Sequence, residues 1–460
     1  MKPQILINCQ PEIEMMQKHI LNELKTLKLS RDQIFEMQEK RLREMLSYAK
    51  TYSSWHRKRI SHINIDKFTL DQLDQLPIMT KQDLMKNWDN IVTDKKITLS
   101  SASKFLMQKN GFDLFYNYHL FASGGSSGRR GLFLWSSKEL TQILLATFRF
   151  AYRDIFMNSA NEEEIIVASI ASVKAVHMGA VVYPASIVPN MRAIILPADS
   201  PIEELIPTLN NAMPTYLTGY PSVITRLAVA AIKNDLKIIP KNLLLGSEPL
   251  LPHMRSTIQQ AWPNANIMTL YACTDTGTNG VSCNYSKGNL HLSEDLMIIE
   301  AVDINNHVVG TGHKSNKILV TDLHHKSLPL FRYEIDDSIT VLDEKCACGS
   351  NFKLIAPVQG RHEDDFIYFD NKITVIHLLF DDIIMKDPGV NEYQIFQTIN
   401  GANILIVPNS FAMPSIPVIK RLLTKKLQKV LLIAPEIQIK IVEKLNRHPE
   451  TGKLKRFVPL

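Results

Sequence analysis

The chain is 460 residues long, 45% hydrophobic and 21% charged, with a formal net charge of +6. That length can bury a large core and predicts two or three domains, and the ordinary hydrophobic share excludes wholesale disorder. The charge is too mild for a nucleic-acid binder but suits an anionic small molecule such as a nucleotide. The opening Met-Lys-Pro-Gln-Ile has neither the apolar core nor the cleavage site of a secretory leader, and the apolar region 165–188 is interrupted by Lys174, His177 and Pro184. A cytoplasmic protein without a membrane span is therefore expected. The five cysteines, an odd number, argue against a disulfide framework.

Residues 31–52 carry an apolar stripe at Ile34, Met37, Leu42, Met45, Leu46 and Ala49, which predicts an amphipathic helix. Leu76-Pro77-Ile78-Met79-Thr80-Lys81-Gln82-Asp83-Leu84 then predicts an extended approach and a new helix capped by Thr80, with Asp83 three residues on. Nothing in this part carries catalytic chemistry, and its residues are read as structural.

Ser123-Gly124-Gly125-Ser126-Ser127-Gly128-Arg129-Arg130-Gly131 lies between two apolar runs, 118–121 and 132–135, and predicts a tight loop between strands. Glycines let backbone N–H groups turn inward, serines add hydroxyls and the arginines add charge, so the loop suits a polyphosphate. It is not a Walker A loop, since no Lys-Ser/Thr follows the last glycine, and it lacks the dinucleotide-binding spacing. A merely flexible Gly/Ser loop is the alternative.

Between 140 and 262 helical and strand-like stretches alternate. Leu140 to Tyr152 reads as helix, Ile165 to Ser169 and Thr215 to Leu217 as strands, and Tyr220-Pro221-Ser222 opens a helix. Leu243 to Leu245 is a strand entering Gly246-Ser247-Glu248-Pro249. This rhythm predicts an α/β core whose strand ends carry ligand. In Tyr271-Ala272-Cys273-Thr274-Asp275-Thr276-Gly277 an aromatic, a hydroxyl and a carboxylate follow an apolar approach. They suit a base, a phosphate oxygen and Mg²⁺ respectively, or an ordinary polar loop.

Cys283 and His291, joined much later by Cys346 and Cys348, make a complete tetrahedral zinc set. Reduced, buried thiols are the other reading. Cys9 and Cys273 have no such partners. Beyond Gly360 the predicted elements are a hairpin, 394–399 and 403–407, turned at Asn400-Gly401, a helix 418–431, and a strand alternating at Ile437, Ile439 and Ile441. That predicts a compact α+β unit, preceded by the acidic run His362-Glu363-Asp364-Asp365.

The order of these motifs resembles the adenylate-forming superfamily of acyl- and aryl-CoA synthetases, in particular the phenylacetate-CoA ligase family. The loop at 123–131 resembles its phosphate-binding loop, and Gly246-Ser247-Glu248-Pro249 with Met254-Arg255 its Gly-Ala-Glu-Pro segment. Tyr271 to Asp275 resembles Tyr-Gly-x-Thr/Ser-Glu, and Leu290-His291-Leu292-Ser293-Glu294-Asp295 resembles Leu-His-x-x-Glu-Asp. Arg332-Tyr333 through Asp337 resembles Arg-Tyr-x-x-x-Asp, Gly360-Arg361 opens the hinge motif, and the end around Lys453 resembles Gly-Lys-x-x-Arg. The likeness, including Leu76 to Lys81, covers nearly the whole chain.

The resemblance implies a large multi-subdomain α/β adenylation domain, 1–359, and a small α+β C-terminal lid, 360–460, joined by a hinge at 360–365. It implies ATP, Mg²⁺ and CoA or a phosphopantetheine carrier as cofactors and partners, and a carboxylic acid, aromatic by family association, as substrate. Ser123, Gly124, Gly125, Ser126, Ser127, Gly128 and Arg129 would hold pyrophosphate. Tyr271 would stack on adenine beside Gly246, Ser247, Glu248 and Pro249, Thr274 would meet the α-phosphate, and Asp275 would bind Mg²⁺. Asp337 and Arg361 would hold the ribose, and Lys453 would reach into the site during adenylation. Members can bind zinc with residues matching Cys283, His291, Cys346 and Cys348, a site that four protein ligands would make structural. Asp275 stands where the family has glutamate, Arg129 where it often has lysine and Glu363 where the hinge has aspartate. Those departures leave three readings: a CoA ligase, an adenylating enzyme serving a carrier protein, and a non-catalytic nucleotide-binding homologue.

Overall fold

A computed structural model describes residues 10–108, 113–123, 131–153, 164–172, 178, 190–198, 200–358, 366–368, 373–375, 378–408, 412–431, 435–447 and 454–460. The chain divides into two compact units, Met1–Gln359 and Gly360–Leu460.

In the first unit the strands are β1 (Tyr118–Ala122), β2 (Leu132–Ser136), β3 (Ile165–Ala171), β4 (Met191–Pro197), β5 (Tyr216–Gly219), β6 (Asn242–Gly246) and β7 (Asn266–Cys273). They continue as β8 (Gly277–Ser282), β9 (Leu290–Leu292), β10 (Met297–Val302), β11 (Lys317–Asp322), β12 (Tyr333–Ile335), β13 (Val341–Leu342) and β14 (Leu354–Ile355). Nine of them form one sheet in the order β13-β14-β9-β8-β7-β6-β5-β3-β4. The β7-β6-β5-β3-β4 half is parallel, as helical crossovers require, and the β8-β9-β14-β13 half is antiparallel. A hairpin, β1-β2, and a three-stranded sheet, β10-β11-β12, complete the unit.

The helix Arg31–Tyr52 starts where predicted, because Ser30 and Gln33 exchange a capping box. Its stripe of Ile34, Leu42, Met45, Leu46 and Ala49 is buried. Each large member removes apolar area from water worth about 1.5–3 kcal/mol. The helix predicted over 140–152 runs from Ser137 to Ala151, opened by a second capping box between Ser136 and Glu139. It is buried on nearly all sides, and its buried Glu139, Thr147 and Arg149 each have a hydrogen-bond partner there. Its Ile143 lies so close to Gly277 that a Cβ there would come within 2.8 Å of it, and Gly277 has φ +79°.

In the second unit β15 (Phe366–Tyr368) pairs with β16 (Ile373–Val375). β17 (Val390–Thr398), β18 (Gly401–Pro408), β19 (Glu436–Ile441) and β20 (Phe457–Val458) form a sheet in the order β19-β18-β17-β20. The helix Ile416–Leu431 buries Ile419, Leu423 and Leu427 in this unit's core. The hairpin turns one residue earlier than expected: Thr398 pairs with Gly401, leaving Ile399 and Asn400 at its tip. Gly401 is a strand residue because the backbone of Glu436 crosses it, and a Cβ would lie 1.9 Å from the Glu436 carbonyl oxygen.

Candidate functional site

The parallel strands β5, β6 and β7 end side by side, with Gly219 opposite Leu245 and Gly246 opposite Leu270. Loops leaving such carboxyl edges face the crevice where α/β sheets bind ligands. Tyr220, just past β5, is buried and accepts the Ser172 backbone N–H at 3.1 Å. Past β6, Ser247 adopts the left-handed conformation with φ +68°. Glu248 then accepts the Ser222 N–H at 3.2 Å, at the start of the helix Pro221–Ile232, and Pro249 follows. Past β7, Thr274 is half-buried and Asp275 buried.

Two tyrosine–carboxylate pairs involve residues of β7 and of the turn that follows it. The Tyr271 hydroxyl donates to Asp337 Oδ2 at 2.8 Å, and the Tyr333 hydroxyl donates to Asp275 Oδ2 at 2.8 Å. Burial, followed by the charge of Asp275, pushes the Tyr333 phenol well above its ordinary range, so it remains a donor. Burial and the same carboxylate push the Cys273 thiol up to about 11, which keeps it protonated and unreactive.

A cation missed in the sequence completes the group. Lys81 Nζ lies 3.3 Å from Asp275 Oδ2 and 3.3 Å from Ser123 Oγ. Ser123 in turn ties the neck of the glycine loop: its N–H donates to the Gly131 carbonyl at 2.9 Å, and its Oγ accepts the Gly131 N–H at 2.9 Å. The segment that carries Lys81 therefore reaches the same group of side chains. It is held in place by Met79, whose N–H donates to Arg332 O at 3.1 Å and whose carbonyl accepts from Glu334 N at 2.9 Å. One signal could have found Lys81: it is the first residue of the helix Lys81–Lys86, where a cation opposes the helix dipole and gains nothing locally.

Gly124, Gly125, Ser126, Ser127, Gly128, Arg129, Arg361, Lys453, Cys9 and the stretch 360–365 lie outside the described residues. Three other motif residues, Arg332, Glu294 and Asp295, are held in internal ion pairs. Arg332, at φ +46°, is clamped by both oxygens of Glu300 at 3.0 Å each. Glu294 takes both guanidinium nitrogens of Arg31 at 2.6 and 2.9 Å, and Asp295 takes those of the fully buried Arg149 at 2.8 and 2.6 Å. One carboxylate, Asp275, with a hydroxyl beside it at Thr274 is the sparse donor set that a nucleotide-borne Mg²⁺ uses, because phosphates and water complete its shell.

At the antiparallel edge of the large sheet β9 pairs with both β8 and β14, with His291 opposite Leu354. That pairing brings together Cys283, His291, Cys346 and Cys348. Their ligand atoms all lie within 4.8 Å of one another. Cys283 Sγ is 3.5 Å from Cys346 Sγ and 3.6 Å from His291 Nε2, and Cys348 Sγ is 3.5 Å from the same nitrogen. Bonds of about 2.3 Å to sulfur and about 2.0 Å to nitrogen give a zinc tetrahedron edges of about 3.8 Å (S···S) and about 3.5 Å (S···N). The donors and their spacing therefore fit that ion. Without metal the polar balance is internal: the hydrogen bond from Cys283, then that from His291, hold the Cys348 thiol down at about 3. Burial opposes charge on His291, but its bonds to Cys346 and Cys348 raise it to about 9. Phe150 stacks on His291 with ring centroids 4.4 Å apart.

No family model matches the chain. Protein CapK of Staphylococcus aureus is 25% identical over 364 residues, 74% of this chain and 71% of that protein. A crystal structure of 2-hydroxyisobutyryl-CoA ligase in the postadenylation state with R3-HIB-AMP superposes with a TM-score of 0.71 at 17% identity, covering 94% of this chain and 90% of that one. The same ligase with 2-HIB-AMP and CoA in the thioesterification state gives 0.59 at 17% identity, covering 94% and 91%. ATP-bound MatB from Rhodopseudomonas palustris gives 0.52 at 16% identity, covering 72% and 65%. The chain has the adenylate-forming ligase fold with a C-terminal domain. Among the described residues no helix is long and apolar enough to cross a membrane.

Proposed function

We propose that the protein activates a carboxylic acid with ATP as an acyl-adenylate and passes the acyl group to a thiol, CoA in the first instance. The observation that carries this reading is the convergence of Ser123, Lys81, Asp275, Tyr333, Tyr271 and Asp337 beside the carboxyl ends of parallel strands, with neighbouring members 2.8–3.3 Å apart. The crystal-structure neighbours named above include complexes with ATP, acyl-AMP and CoA, which supports the same reaction class.

In this proposal a carboxylate oxygen of the acid attacks the α-phosphorus of ATP, forming one P–O bond as the bond to pyrophosphate breaks. The loop from Ser123 to Arg129 cradles the leaving pyrophosphate, and Lys81 adds the fixed charge that Asp275 and Ser123 aim. Asp275 would hold the Mg²⁺ that enters with ATP and neutralises phosphate charge, and Thr274 would bond the α-phosphate. Tyr271 and the 246–249 loop flank the base, Asp337 and Arg361 take the ribose hydroxyls, and Lys453 meets the carboxylate. Hinge motion at 360–365 withdraws Lys453, a thiolate attacks the acyl carbon, and AMP leaves. Cys283, His291, Cys346 and Cys348 hold a structural zinc. The acid is aromatic, following the motif resemblance.

Asp275 favours a second reading, a non-catalytic nucleotide binder, because its Oδ2 is already engaged by Lys81 and Tyr333. ATP–pyrophosphate exchange across aromatic, aliphatic and amino acids separates the two. The ligase reading expects exchange with one class of acid and its collapse in Lys453→Ala. ATP binding without exchange for any acid would leave the second reading standing.

A further inference from the structure

The helix Ile416–Leu431, IPVIKRLLTKKLQKVL, contains five cations and no acid. Its apolar stripe is spent internally, since Ile419, Leu423 and Leu427 are buried in the core of the second unit. Lys420, Arg421, Lys425, Lys426 and Lys429 are all exposed, and among the described residues none has an ion-pair or hydrogen-bond partner. Set among them are two apolar side chains one turn apart, Val418 and Leu422, each 42% exposed. Unneutralised like charges on adjacent turns repel one another, so this face costs the isolated protein some stability. A small apolar centre ringed by cations is the composition of a transient docking surface for an acidic partner.

We propose that this face docks an acidic phosphopantetheine carrier protein, which delivers the acceptor thiol in the second half-reaction; the inference rests on the adenylation reading above. An anionic membrane is the poorer match, because an interfacial helix inserts its apolar face and here that face is already packed. Nucleic acid is disfavoured by the mild net charge of +6 over 460 residues. The proposed chemistry calls for an acceptor thiol, and an acidic carrier supplies one together with the complementary charge.

The test uses the full chain, an acidic acyl carrier protein in apo and holo forms, and the charge-reversal variant Lys420→Glu/Arg421→Glu/Lys425→Glu. Apo-carrier binding, measured without ATP, should weaken as salt is raised and fall at least about tenfold in the variant. Acid-dependent ATP–pyrophosphate exchange and kcat/KM for CoA should stay unchanged, while kcat/KM for the holo-carrier falls with binding. The proposal is overturned if wild type does not bind the carrier or if the variant binds it equally well. It is also overturned if the variant loses CoA in parallel, which would make the face a site for CoA phosphates. Anionic vesicles or duplex DNA binding to this face in place of the carrier would overturn it too. Exchange that fails in wild type with every acid refutes the adenylation reading separately, since carrier binding is read without it.

Discussion

Arg149→Met cuts a deeply buried ion pair in the first unit. Arg149 is 0% exposed and Asp295 3%. The two share bonds of 2.6 and 2.8 Å, while Arg149 also reaches Glu23 and the Thr26 hydroxyl at 3.2 Å each. Arg41 donates to the Asp295 backbone carbonyl and adds a lesser favourable charge, so methionine fills the volume but leaves the buried carboxylate without its bidentate cation. Breaking one partner of such a pair costs about 3–5 kcal/mol. At about 2 °C per kcal/mol for a large unit, thermal unfolding should fall by roughly 6–10 °C. Burial alone would raise the Asp295 pKa, but Arg149 outweighs it and holds the carboxyl below its ordinary value of 3.8. A depressed folded pKa contributes stability above the unfolded value, which is lost as pH falls through the folded one. The gap between wild type and variant should therefore be wide at pH 7 and close below about pH 4. Calorimetry at matched scan rates measures it, with Arg149→Met/Asp295→Asn as the companion. That double variant should recover much of the loss, because the orphaned charge is gone. A gap that does not change with pH, or a double variant as unstable as the single, would refute the reasoning.

Further predictions concern the site, the metal set and the hairpin. Lys81→Met removes a charge-assisted contact worth about 1.5–3 kcal/mol and should slow ATP–pyrophosphate exchange by roughly 10- to 150-fold. An unchanged rate would return Lys81 to a structural role. Elemental analysis should find one zinc per chain, and Cys348→Ser or prolonged chelation should remove it and lower the thermal midpoint. Metal-free wild-type protein of full stability would leave the four residues as reduced thiols and a histidine. Gly401→Ala should destabilise the second unit by several kcal/mol, since the Glu436 backbone must move; the check is hydrogen exchange in β18 and β19, and unaltered protection there would contradict the packing argument.

The parts legible in the sequence are those whose physics is local. Residues 31–52 announce a helix because the apolar stripe recurs at helical spacing within a few residues. The 246–249 turn was legible at a strand end because turn residues follow an apolar run directly, whereas β7 runs on through Tyr271 to Cys273 before Thr274 and Asp275 leave it. Gly401 was misread for the converse reason: Asn-Gly is a local turn signal, but the Glu436 backbone that decides its role comes from 35 residues further along the chain. The sheet β10-β11-β12 had no periodicity strong enough to announce it.

The sequence by itself determined the types of the elements that have a local pattern, the order of the strand-end motifs and the four candidate metal ligands as a set. Tertiary structure alone decided that Lys81 joins Asp275 and Ser123, and that Tyr333 serves Asp275 while its neighbour Arg332 serves the framework. It also decided that β9 pairing with β8 and β14 draws the thiols around His291. Hydrogen bonds within a turn are written in spacings of three and four, whereas a salt bridge between distant segments forms only after the sheet and its covering helices have fixed where each backbone lies.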